Sequence, residues 1–215
     1  RGQLGDGGTT HDNDTYTTSP SSTPVDLGPG RTAVSVSVGY HHTCAILDNG
    51  DLKCWGWDVF GALGDGGTTH DNDTYTTAPP SVPVDLGTGR TAVAVSAGNH
   101  HTCAILDNGD LKCWGRDNGG QLGDGRPLYA DTTTDPSARV DTYAPPHSHT
   151  DLDSAYRNPN NGAYPTSPYA VSVSAGDEVT CAVLDNGDVR CWGRDDYGQL
   201  GDDSPFWYRG SNHDP

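Results

Sequence analysis

The sequence contains no methionine, only two lysines (Lys53 and Lys112), two phenylalanines and a single glutamate, Glu178, among its 29 acidic residues. Each scarcity excludes something. The carboxylates are almost all Asp, a turn residue and a poor helix former, and 29 Gly and 15 Pro push the same way. The chain is therefore read as all-β, with almost no α-helix. The excess of acid over base leaves a formal charge of −17. Such a surface repels phosphate backbones and anionic lipid, which argues against nucleic-acid and membrane-surface partners. No apolar run reaches the length of a transmembrane helix, so membrane insertion is not expected. The chain starts at Arg1 with neither Met nor a hydrophobic leader, and so reads as a processed or partial sequence.

Catalytic signatures are also missing. There is no G-x-S-x-G elbow and no H-E-x-x-H helix, so no catalytic residue is assigned and the chain is read as a non-enzyme. The glycine-rich stretches "LGPGRTA" (27–33) and "LGTGRTA" (86–92) run into residues that alternate as a strand. A dinucleotide loop needs a helix there, to bring its N-terminus to the phosphate. No cofactor follows from these glycines.

What is present is a threefold echo. "HHTCAILDNGDLKCWG" occupies 41–56, recurs unchanged at 100–115, and returns as "VTCAVLDNGDVRCWG" at 179–193. "CAIL" and "DLKC" are strand-like runs flanking Asp48-Asn49-Gly50, and a three-residue loop with a left-handed Gly is a favoured hairpin closure. Counting outward from that loop sets Leu47 against Asp51 and Cys44 against Cys54. The same count pairs Cys103 with Cys113 and Cys181 with Cys191, using all six cysteines. Zinc knuckles place two or four residues between ligands, whereas nine separate these pairs, so disulfides are the preferred reading. Bridges of this kind persist in oxidising compartments, and the expected location is extracellular or at the cell surface.

The strand before each hairpin repeats too. "AVSVSVG", "AVAVSAG" and "AVSVSAG" begin at Ala33, Ala92 and Ala170, giving spacings of 59 and 78 residues. Residues 3–32 match 62–91 at 25 of 30 positions, so the chain opens partway through a repeat. The units are a half-repeat over 1–32, repeats over 33–91 and 92–169, the latter with an expanded connection at 126–168, and a third repeat with its tail over 170–215. Repeats of this length made of short strands point to propeller blades or a related β-array with long polar loops.

"AGNHHTCAILDNGDLKCWGRDNGGQLGDG" at 97–125 resembles the repeat of the regulator of chromosome condensation (RCC1) family, with its G-x-x-H-T opening, D-G hairpin, W-G pair and G-Q-L-G turn. The resemblance covers roughly 1–125 and 168–203. It implies β-propeller blades, in a family that includes nuclear exchange factors for a small GTPase and secreted bacterial propellers that inhibit β-lactamases. The cysteines and the acidity are closer to the bacterial extracellular members. Family rings close with about seven blades; here there are three hairpins and a half-unit.

The recurring His42 and His101 are read as internal hydrogen-bonding groups, with His41 and His100 on the surface. Trp55, Trp114 and Trp192 are read as core, each indole N–H finding a backbone acceptor. The loop "GDGGTTHDNDTYTT" stands at 5–18 and again at 64–77. It carries N-x-T sequons at Asn13 and Asn72. Asp12, Asp14, Asp71 and Asp73, with His11 and His70, offer groups for a Ca²⁺ ion, although their spacing is not that of an EF-hand. Tyr129, Tyr143, Tyr156 and Tyr164 mark the expanded connection as a loop that meets a partner. The function expected is a secreted or cell-surface structural protein that assembles head-to-tail with identical subunits into a filament or ring. Phe206, Trp207 and Tyr208 are its anchors, meeting Leu4 and Val25 of the next copy. The alternative is a secreted propeller-type module that binds a protein or glycan.

Overall fold

The computed structural model describes residues 2–7, 19, 21–66, 75–123, 141–143 and 168–201. Strands β1 (Ala33–Val38), β2 (His42–Leu47), β3 (Leu52–Trp57) and β4 (Tyr75–Thr76) form one antiparallel sheet in that order. A second sheet repeats the order with β5 (Ala92–Ala97), β6 (His101–Leu106), β7 (Leu111–Gly115) and β8 (Asp141–Tyr143). The third contains β9 (Ala170–Ala175), β10 (Val179–Leu184) and β11 (Val189–Gly193), with β10 in the middle. The only helical turn among the described residues is a 3-10 turn at Val59–Gly61.

Local sequence dictates the hairpins. Gly50 sits at φ 81, and its N–H donates to the Leu47 carbonyl. Asn49 braces the same turn by hydrogen bonding Asp51 through both its amide nitrogen and its amide oxygen. The closure puts Cys44 opposite Cys54 in register, and the structure joins them; Cys103–Cys113 and Cys181–Cys191 are joined in the same way. Outside each hairpin an arginine or a backbone amide reads the first loop Asp. Arg31 pairs with Asp48 at 3.1 Å, and the Thr32 N–H, foremost, holds that carboxyl below its ordinary pKa.

The core lies between successive sheets rather than within one. Cys44, Ile46, Leu52, Leu63 and Trp114 belong to one cluster, and Cys103, Ile105, Leu111, Leu122 and Trp192 to the next. Strand β2 packs on β5 and β6 on β9, while the first strands β1, β5 and β9 run beside one another. Such stacking buries one face of each sheet on its neighbour, the arrangement expected of consecutive blades.

The connection 126–168 is more than a loop. Residues 141–143 form β8, pairing Leu111 with Tyr143 and Cys113 with Asp141. This covers the outer edge of β7 as Tyr75–Thr76 covers β3, and an uncovered edge would leave a row of ladder groups without partners.

Candidate functional site

Each blade is stapled to the next by one backbone carbonyl. The Ala62 oxygen accepts from Trp114 Nε1 at 3.1 Å and from Thr102 Oγ1 at 2.8 Å. At the next boundary the Gln121 oxygen accepts from Trp192 Nε1 and Thr180 Oγ1, both at 2.9 Å. In the half-unit the Gln3 oxygen does the same for Trp55 and Thr43. The G-x-L-G turn is shaped for this docking: Asp58 Oδ1 accepts from the Leu63 N–H at 2.8 Å, and Asp117 and Asp195 repeat that bond to Leu122 and Leu200. The three tryptophans are buried in this role.

The buried histidines complete the staple. His42 Nε2 lies 2.9 Å from Thr102 Oγ1, and His101 Nε2 lies 2.9 Å from Thr180 Oγ1. A threonine hydroxyl has one proton, and here it goes to the carbonyl, so each imidazole must be the donor, through Nε2. Nδ1 is then a bare acceptor, and that of His101 is buried without a hydrogen-bond partner. A second proton there would meet no acceptor. Burial, aided by the neighbouring histidines, lowers the pKa of His42 to about 3; burial lowers that of His101 to about 4. Both rings are neutral structural groups.

The turns that link the first two strands of each blade gather on one face. Tyr40 N–H donates to the Gly98 oxygen at 3.2 Å and Asn99 N–H to the Gly176 oxygen at 3.1 Å, drawing the three turns together. Between them lies an open depression of about 570 Å³, with Tyr40, Asn99, His100 and Asp177 in its lining. Beside it runs an aromatic row. His41 lies 4.8 Å from Trp57, Trp57 5.4 Å from His100, and His100 5.6 Å from Phe60, all edge to face. The row ends on charge: Arg116 sits 5.3 Å from the Phe60 ring centre, and Glu178 pairs with Arg116 at 3.5 Å and with Arg194 at 2.7 Å. The Glu178 and Asp196 carboxylates raise the Arg194 pKa above its ordinary value.

His41 and His100 are half-buried in this row rather than fully exposed, because each packs against Trp57. Leu4 is half exposed and Val25 half-buried. Asp12, Asn13, Asp14, Asp71, Asn72, Asp73, Phe206, Trp207 and Tyr208 lie outside the described residues. Among the described residues no cluster of three or more His, Cys, Asp or Glu is placed to hold a metal ion. The aromatic row was not anticipated. Aligning the repeats column by column would have found it: Tyr40, Asn99 and Asp177 share one column, Trp57, Arg116 and Arg194 another, and Phe60, Gly119 and Tyr197 a third. These vary, whereas the Thr, Cys and Trp columns do not.

Sequence profiles of the regulator of chromosome condensation (RCC1) repeat match residues 33–62, 92–121 and 170–199, and a second profile of that repeat matches 49–105. Together they cover more than half of the chain. The E3 ubiquitin-protein ligase HERC2 of Homo sapiens is 29% identical over 164 residues, 75% of this chain and 3% of that protein. Protein pim1 of Schizosaccharomyces pombe is 31% identical over 93 residues, 43% of this chain and 17% of that protein. Among solved structures, human WBSCR16 is similar with a TM-score of 0.59 at 21% identity, over 81% of this chain and 38% of that one. Yeast RCC1 (Prp20), solved bound to Kap60, gives a TM-score of 0.55 at 21% identity, over 82% and 35%. The chain thus spans a small part of these curated relatives and under two fifths of these solved chains.

Proposed function

The chain belongs to the RCC1 repeat family, with propeller-type blades, and we propose that it is an extracellular, non-enzymatic repeat module that assembles head-to-tail with identical copies. One observation carries the reading. On the first blade Val36 and Val38 are 62% and 68% exposed, whereas at the same positions of the second blade Val95 packs against the core between the first two blades and Ala97 is buried. On the last blade Val183 and Val189 are 36% and 62% exposed, whereas Ile46, Ile105, Leu52 and Leu111 at the same positions are buried. These two kinds of face already meet twice inside the chain. A second copy offers the matching face at each end, and a heterologous contact of that kind propagates into a filament or closes into a ring. Phe206, Trp207 and Tyr208 are proposed anchors of the joint.

Sedimentation velocity over a concentration series tests this. The full chain is expected to associate, Val36→Asp and Val189→Asp each to stay monomeric, and their mixture to stop at a dimer through the one intact pair of faces. A full chain that is monomeric at the highest concentration refutes assembly. The extracellular location rests on the three bridges. Alkylation of native material that finds free thiols refutes it.

A second reading, a secreted binding module for a protein or glycan, is favoured by the aromatic row and the depression beside it. A solved yeast relative, RCC1 (Prp20), is bound to another protein, Kap60.

A further inference from the structure

We infer that the depression between the three blade turns, with its aromatic row, is a binding site for a neutral saccharide. The inference rests on the binding-module reading and is independent of assembly. Phe60 is the one non-glycine residue with positive φ (67°) among the described residues, and its ring is exposed. A bulky side chain in the left-handed region is strained, and a strained outlier on a surface points to use rather than packing. It holds the ring at the end of the row formed by His41, Trp57 and His100, while Tyr40 stands exposed at the depression. The columns that supply these residues differ from blade to blade, while the stapling columns are constant. The face is therefore composed separately from the scaffold.

The polar groups select the ligand class. Glu178 is already paired with Arg116 and Arg194, and Arg116 also lies against Phe60, so an anionic ligand would have to break existing pairs. Asp177 is exposed in the lining and accepts from the Asn99 amide nitrogen, and its carboxylate keeps acceptor positions that a ligand hydroxyl can reach. Apolar ring edges and faces beside an acceptor with room for a donor suit a molecule with both C–H faces and hydroxyls and no negative charge. A saccharide of two or three units has that chemistry and fits about 570 Å³.

The test is calorimetric titration of the full chain with cellohexaose, laminarihexaose and chitohexaose, with hexa-arginine as a charged comparator. At least one neutral hexasaccharide is expected to bind. Tyr40→Ala and Phe60→Gly are each expected to weaken it about tenfold or more. Glycine accepts the φ of Phe60, so Phe60→Gly is expected to melt no lower than the parent chain, separating a ligand-binding role from a structural one. Unchanged affinity in both variants overturns the site. Binding of hexa-arginine with no saccharide overturns the ligand class while leaving a binding module; heat from neither probe overturns the site and removes the support for the module.

Discussion

The neutral imidazoles between the blades make a strong prediction about acid. His42 and His101 titrate freely in the unfolded chain near 6.5, and in the folded chain near 3 and 4. Folded pKa values below unfolded ones mean that the unfolded state takes up the proton first. Stability is therefore complete above pH 6.5 and is lost as the pH falls toward the folded values. At pH 5 the unfolded state has gained about 1.5 pH units on each ring, roughly 2 kcal/mol apiece at about 1.36 kcal/mol per unit. The pair together costs about 4 kcal/mol, a large part of the 5–15 kcal/mol typical of a domain. Carboxylates titrate mostly below pH 5, so the window from 7 to 5 isolates histidine. Urea unfolding followed by tryptophan fluorescence should show a midpoint that falls steeply across that window. His42→Gln/His101→Gln, whose amides can still donate to Thr102 and Thr180, should be less stable at pH 7 yet nearly flat from 7 to 5. A parent midpoint that does not move, or a double variant that keeps the full slope, would refute the assignment of neutral Nε2–H rings at the blade boundaries.

Two packing predictions accompany it. Leu63 fills the core between the first two blades, and Leu63→Ala should cost about 2–4 kcal/mol in chemical denaturation. Leu4, at the same turn position but 48% exposed, should cost less than about 1 kcal/mol on the same change; equal costs would contradict the boundary described. A Cβ on Gly64 would stand 2.6 Å from Trp114 Nε1 with φ at +67, whereas one on Gly66, at φ +72, meets nothing within 4 Å. Gly66→Ala should therefore cost only the left-handed strain of about 1–2 kcal/mol, and Gly64→Ala clearly more; thermal melts that rank them the other way would show that the turn does not dock on the indole.

What lies within one blade was legible in the sequence. The hairpin register from Cys44–Cys54 follows from the Asp-Asn-Gly closure and a count of residues, because strand pairing across a tight loop is local. The tryptophan and inner-histidine readings followed from recurrence at fixed positions. The partners of those side chains were not legible, since His42 reaches Thr102 sixty residues on and Trp114 reaches Ala62 fifty-two back. Only the stacking of one blade on the next brings them together. The fourth strand at 141–143 was hidden for a similar reason: its residues show no strand alternation, and β7's exposed edge supplies the reason to pair. The aromatic row escaped because its members are scattered singly over 40–100 and meet only where two turns converge.

The same staple limits the strength of the proposed joint. Between the chain's full blades each boundary has a histidine donating to the next blade's threonine, His42 to Thr102 and His101 to Thr180. Between copies, the third blade would bring Val179 to Thr43, and valine has nothing to donate. The Gln3 carbonyl already holds Thr43 and Trp55, so the equivalent turn of the preceding copy, around Gln199, would have to displace residues 2–5 to dock. Both features weaken the joint relative to the internal boundaries, by one buried hydrogen bond and by the cost of that exchange. Dilution should therefore take an assembly apart at concentrations where each chain stays folded. Val179→His should strengthen the joint and leave the internal boundaries as they are, and a dissociation constant unmoved by Val179→His would place the contact between copies somewhere other than these two faces.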